Sequence, residues 1–384
     1  KQNMTKMIKL SLAAAVAVSA LTTTATAGSL EDSIKDTTIS GKILVGYNYA
    51  DNKVAETQTN EAEYDIDLTL NTKVNDTITA QVGFEADNAS DTREDTTTTA
   101  DIRLTKLNFT AKTDVATVIV GKQKQPTPFF DDERGDGIVA LVPAGPVTLA
   151  AGHFNGLNST VEYAGANDLM VEQRDVSALA VIGSAGPVNY SVWYAQLTGA
   201  PDFALPGAED GASAYSVNLA GKFGPVNVDL THSSAELNGE GVTTFDDETL
   251  TKLIVSSTVA DVNLVAGYGF TNDNRDDARN HGVDLTEDND AKTNFRLDQL
   301  VLDNYNDADA ILLGASMTFG QTTIGASYLD VTVDATTAAT KITADELDLT
   351  VKYAMSKNFS ITGLYSDAEG KQDGAKIIDE TRME

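Results

Sequence analysis

The side chains best able to do chemistry are scarce in this chain. Cysteine is absent, and three histidines are present, His153, His232 and His281. Without cysteine there can be neither a disulfide framework nor a thiolate metal site. The histidines stand apart from one another, and no HExxH, GxSxG or phosphate-cradling P-loop occurs. His232 is followed by Ser233 and Ser234, but an activated nucleophile also needs a base held by a third group. No such group is marked nearby. These residue types point away from an enzyme.

Charge is where the sequence is distinctive. The segment GKQKQPTPFFDDERGDGIVAL runs from Gly121 to Leu141 and carries Lys122, Lys124, Asp131, Asp132, Glu133, Arg134 and Asp136. Pro126 and Pro128 stiffen its first half, and Phe129-Phe130 offers an apolar anchor. Both charge signs on one short segment suit the constriction of a water-filled passage. There, within a Debye length of about 8 Å, opposed charges stay incompletely screened and sort solutes by sign. The spacing Asp132-x-Arg134-x-Asp136-Gly137 is not an EF-hand, since Arg134 stands at a ligand position and Pro143 at the last one.

The elements that must position this segment are strands. Tyr64, Ile66, Leu68 and Leu70 alternate with Asp65, Asp67, Thr69 and Asn71. Leu347, Leu349, Val351 and Tyr353 alternate with Glu346, Asp348, Thr350 and Lys352. Period-two patterns of this kind recur along the chain and indicate strands with one apolar and one polar face. Tight turns fall at 75–76, 113–115, 143–146, 184–187, 224–225, 260–261, 320–321 and 355–357. Longer polar connections near 50–62, 87–99, 123–136, 155–175, 198–212, 236–249, 271–308, 332–344 and 367–380 alternate with them. Strict short–long alternation puts every tight turn at one end of the sheet. The predicted fold is all-β: a transmembrane antiparallel up-and-down barrel of about 18 strands, with short periplasmic turns and long extracellular loops. Seventeen strands are readable, and the eighteenth is expected to be missing after 367–380.

Residues 1–27 read as a cleaved signal peptide. Lys6 and Lys9 precede the apolar run Leu10 to Leu21, and Ala25-Thr26-Ala27 supplies the cleavage pattern. Residues 28–384 then form the barrel, with the constriction at about 122–136. The polar faces of the strands would line the lumen with Lys42, Asp65, Asp67, Glu85, Arg103, Asp229, Lys252, Glu346, Asp348 and Lys352. The apolar phase slips between Leu104 and Leu107, which predicts a bulge there and leaves the facing of Arg103 and Lys106 open.

The chain carries 57 acidic and 27 basic residues, a formal charge of −30. That sign excludes nucleic acid as a partner. Much of the acid lies in the connections 87–101, 236–249 and 271–309, where it would draw cations to the mouth and meet lipopolysaccharide. The reading is a passive, cation-preferring diffusion channel for ions and small hydrophilic solutes. Alternatives are a substrate-selective channel and a surface adhesin or structural barrel with acidic loops.

The leader MIKLSLAAAVAVSA followed by SLEDSIKDTTISGKI resembles the major outer membrane porins of Campylobacter and its epsilonproteobacterial relatives. The close match covers about residues 7–43, with the GKQ before the third loop. The resemblance implies an 18-stranded, homotrimeric general diffusion pore with cation preference, whose constriction would be Lys122 to Asp136. It implies no cofactor beyond calcium in the lumen, for which Asp131, Asp132 and Asp136 are the candidate ligands.

Overall fold

The computed structural model describes residues 36–87, 101–130, 133–157, 175–198, 211–238, 247–272, 283, 291–333 and 341–384. The signal-peptide reading of 1–27 lies outside them, as does most of the acid at 87–101. Eighteen strands form one antiparallel sheet. They are β1 (Thr38–Asn52), β2 (Thr57–Lys73), β3 (Ile78–Asp87), β4 (Asp101–Lys112), β5 (Thr117–Lys124), β6 (Arg134–Ala144), β7 (Val147–Leu157), β8 (Asp175–Ala185) and β9 (Val188–Thr198). There follow β10 (Gly211–Phe223), β11 (Val226–Asn238), β12 (Glu248–Val259), β13 (Val262–Thr271), β14 (Ala308–Phe319), β15 (Thr322–Val333), β16 (Ile342–Ser356), β17 (Phe359–Gln372) and β18 (Ala375–Met383). Each strand pairs with its sequence neighbours, and β1 closes on β18 by pairing Tyr49–Asn52 with Met383–Glu380.

All eight tight turns fall where the sequence places them. Gly145-Pro146, Gly186-Pro187 and Gly224-Pro225 put a glycine of positive φ first in the turn, the backbone a type II′ hairpin demands. Two supposed long loops are hairpins instead. The 50–62 region is strand on both sides of Lys53–Glu56, and 367–380 is strand around Asp373-Gly374, whose φ values are 49° and 84°. The eighteenth strand, expected to be missing, comes from the second of these. Both hairpins are rich in polar residues on both faces, so alternation fades although pairing continues.

The expected bulge is present. Phe84 pairs with Leu104 and Gly83 with Lys106, which leaves Thr105 as the extra residue. Register then puts both Arg103 and Lys106 on the lumen face, alongside Glu85 and Asp67.

Burial is inverted relative to a water-soluble protein. Ile66, Leu68, Phe109, Leu219, Leu253, Leu313, Leu349 and Val351 are exposed on the outer face, while Ser233, Thr293 and Glu346 are fully buried. Such an outer band faces hydrocarbon, and an arginine at mid-depth costs about 2–4 kcal/mol. Leu253→Arg is therefore expected to lower folding stability in lipid vesicles by that amount, read from denaturant titration. The lumen-facing neighbour Ile254→Thr should cost less.

Candidate functional site

The β4–β5 ladder ends at Leu107↔Lys122, while the β5–β6 hairpin continues to Lys124↔Arg134. The tip of this hairpin thus leaves the wall, closed by a bond from Gln125 N to Glu133 O (2.8 Å). Inside the barrel it lays Phe129 and Phe130, both almost wholly buried, against Phe154, Val176, Ala178, Ala195, Ala214 and Ala235. The last four alanines form one unbroken cross-strand row on β8 to β11. A row of methyl groups is a flat seat for two rings, and burying each ring stabilises the tip by roughly 1.5–3 kcal/mol.

A second segment, 291–305, also runs inside. It belongs to the β13–β14 connection, which the sequence reading assigned to the acidic exterior. Phe295, Leu300 and Leu302 pack on Leu250, Ala310, Leu329, Val331, Ala344 and Ala368. Two glycines on β13 make room. A Cβ on Gly267 would stand 2.9 Å from Phe295, and one on Gly269 would stand 2.8 Å from Leu302. Lys252 Nζ donates to the carbonyls of Lys292 (2.6 Å) and Asn294 (2.5 Å). Glu346 accepts from the backbone N–H of Gln299 (2.8 Å) and Leu300 (2.7 Å). The two segments meet where Thr293 N donates to Pro128 O (3.3 Å). None of Gly267, Gly269, Phe295, Leu300 or Leu302 was singled out from sequence. The signal was there, in the apolar cluster Phe295 to Leu302 within an otherwise acidic stretch.

The two segments cover the inner faces of β6 to β17 in the half nearer the long loops. The inner faces of β18 and β1 to β4 are mainly polar, with Ile378 of β18 at the edge of the covered side. Lys42 pairs with Asp65 (3.4 Å). Lys106 lies 4.0 Å from Asp67 and donates to Thr69 (3.2 Å). Arg134, at the root of the hairpin tip, reaches back to Glu85 at 2.8 Å, and Arg103 stands opposite Glu85 in register. Arg382 bonds Glu380 (2.7 Å) and approaches Asp298 of the second segment (3.8 Å).

The remaining expected residues disperse. Lys122 and Asp136 face each other in register on the outward side of β5 and β6, with Leu107, Val120 and Ile138, and Asp136 is exposed. The register therefore turns both away from the lumen. Lys124 is exposed and Glu133 buried. Asp131 and Asp132 lie outside the described residues. Asp229 accepts from Asn218 (2.8 Å) on the inner wall. Asp348 is buried beside Glu346, and Lys352 is exposed nearer the short-turn end. Among the described residues no three His, Asp or Glu side chains are grouped to hold a metal ion. His153 bonds Ser177 and Asn155 on the outward face, each at 2.9 Å, and His232 bonds Thr251 at 2.8 Å.

A barrel of this strand number with segments folded into its lumen has the form of a bacterial pore. Residues 12–373 match the family model of Gram-negative porins. The chain belongs to that family. The porin is a channel of the bacterial outer membrane and passes small solutes. Among solved structures it is similar to Pseudomonas aeruginosa OpdL, at 11% identity and a TM-score of 0.69 over 91% of this chain and 97% of that one. It is similar also to P. aeruginosa OpdK with vanillate, at 12% identity, a TM-score of 0.67 and coverage of 91% and 97%. OccK2 (OpdF) of the same organism, in complex with glucuronate, gives 12%, 0.66, and coverage of 91% and 95%. At these identities the likeness is one of fold. No curated protein matches the sequence.

Proposed function

We propose that this porin is a narrow, passive, water-filled channel that prefers cations. The supporting observation is the chemistry of the uncovered wall. On this reading Glu61, Glu63, Asp65, Asp67, Glu85, Asp298 and Glu380 line the pathway, against Lys42, Arg103, Lys106, Arg134 and Arg382, and their shared inner face and ion pairs support it. Most of these bases lie beside a carboxylate, so the surplus acid sets the sign of the field along the path. The constriction is assigned to Glu133, Arg134 and Glu85, where the hairpin tip leaves the wall. Trimeric assembly, implied by the resemblance to Campylobacter-type porins, belongs to the same reading, and the mass of the detergent-extracted complex checks it.

Reversal potentials in a KCl gradient test the proposal. Wild-type channels should reverse on the cation side. Arg134→Ala uncovers Glu85 and should raise the K⁺/Cl⁻ permeability ratio, whereas Glu85→Gln should lower it. One unit charge at about 4 Å in water is worth about 1 kcal/mol, roughly fivefold in the ratio. Anion-biased reversal in wild type would overturn the cation preference.

A second reading has its own observation. Two in-folded segments leave far less open section than an 18-stranded wall encloses, which suits selection of one solute class. Vanillate and glucuronate accompany two of the similar structures. Saturable block of the ion current by a small carboxylate would favour this reading over general diffusion.

A further inference from the structure

We infer that Glu346 and Lys252 are positioning residues for the narrowing: two charged side chains that grip the backbone of 291–305 and so set the width of the pathway. The inference rests on the reading of the chain as a solute channel, and extends it to what holds the channel narrow. A lumen charge that served passing ions would stand in water. Glu346 is 0% exposed and Lys252 is 9% exposed. Burying a charge is strongly unfavourable unless charge-assisted hydrogen bonds compensate it, and here each has them. Oε1 of Glu346 accepts from Gln299 N and from Ser366 Oγ (2.9 Å), while Oε2 accepts from Leu300 N. The Lys252 ammonium donates to the carbonyls of Lys292 and Asn294.

The two grips differ in sign because they seize opposite backbone groups. The ammonium takes carbonyls near the start of the segment, and the carboxylate takes N–H groups five to eight residues further on. Between them Phe295 drops onto the two glycines of β13. Of these five bonds, only that from Ser366 Oγ comes from a side chain; the other four go to the main chain of the segment. The polar part of the hold therefore rests on Glu346 and Lys252, beside the apolar packing of Phe295, Leu300 and Leu302. Neither residue touches a solute in this arrangement. They act through the segment.

The test uses the absence of native cysteine. Ala310 and Ala344 lie beneath the segment and are each 1% exposed, so Ala310→Cys and Ala344→Cys report its release. In refolded full-length porin in lipid vesicles, both thiols should react slowly with a charged thiol reagent. Glu346→Ala or Lys252→Met should speed the reaction roughly tenfold or more, since each removes two charge-assisted bonds to the segment. Lys252→Arg, which keeps donors, should stay near the parent rate, and Glu346→Gln should fall between. Gly267→Leu, which expels the segment through Phe295 and stands opposite Ile254 rather than opposite either grip, shows that the reporters respond. If it accelerates labelling while Glu346→Ala and Lys252→Met do not, the inference is overturned. A shifted reversal potential with unchanged labelling also overturns it, since that is the behaviour of ordinary lumen charges. Labelling needs no conductance, so failure of the channel reading would show separately, as silent bilayers.

Discussion

Excising 273–306 and joining Asn272 to Asp307 through a two-residue turn is expected to raise single-channel conductance roughly two- to threefold, because an 18-stranded wall alone encloses a wide aqueous lumen. The junction is already built for it. Asp307 N donates to Asn272 O (2.8 Å), and Phe270↔Asp309 is the last ladder pair below. The shortened connection would therefore close a hairpin whose register exists. What the excision uncovers is apolar: Leu250, Leu329 and Val331 would meet water. Each fully buried aliphatic side chain of this size contributes about 1.5–3 kcal/mol, so stability should fall while the backbone ladder still closes the barrel. Planar-bilayer recording reads the conductance, and retarded migration of the unheated barrel on gels checks folding. A folded variant with unchanged conductance would mean that 291–305 does not obstruct the pathway.

Phe129→Asp combined with Phe130→Asp should open the other side. Both rings are buried on the alanine row of β8 to β11, and a carboxylate there has no partner to compensate its desolvation. The tip should leave the wall rather than carry two charges into it. Its bond to the second segment, Thr293 N to Pro128 O, would be lost as well. The expected result is a conductance increase of up to about twofold, by the same scaling of open section. A larger exclusion limit for neutral sugars in liposome swelling should accompany it. Phe129→Leu, which keeps an apolar group on the seat, should leave both near wild type. Equal effects of the two substitutions would show that the rings do not hold the tip.

The wall was legible in the sequence because its physics is local. Alternation at Tyr64 to Asn71 or Glu346 to Tyr353 follows from one face meeting lipid and the other facing inward. Gly-Pro at 145–146, 186–187 and 224–225 is a backbone requirement written directly into residue type. The Thr105 bulge could be inferred from a phase slip. The lumen was less legible because what covers the inner face is tertiary. Strand β8 reads Asp-Val-Ser-Ala-Leu-Ala-Val-Ile, apolar towards both faces. In retrospect that marks an inner face that is covered, yet alone it resembles any buried strand. Gly267 and Gly269 gain meaning only once Phe295 stands over them. Lys252 and Glu346 read from sequence as lumen charges, but periodicity cannot separate a charge in water from one gripping a backbone. Lys122 and Asp136 show the converse, since their charge suggested an eyelet and the register turns them outward.

A lumen wet along one side and covered on the other is most directly tested by thiol accessibility on single-cysteine variants. Asp67→Cys and Thr59→Cys lie on the uncovered inner face of β2; Ala178→Cys and Ala214→Cys lie beneath the hairpin tip. A membrane-impermeant charged thiol reagent added during bilayer recording should modify the first pair quickly and step the current down. The second pair should stay unmodified until Phe129 and Phe130 are replaced. Fast modification at Ala178→Cys with the tip intact, or none at Asp67→Cys, would contradict the placement of the ion path along β18 and β1 to β4.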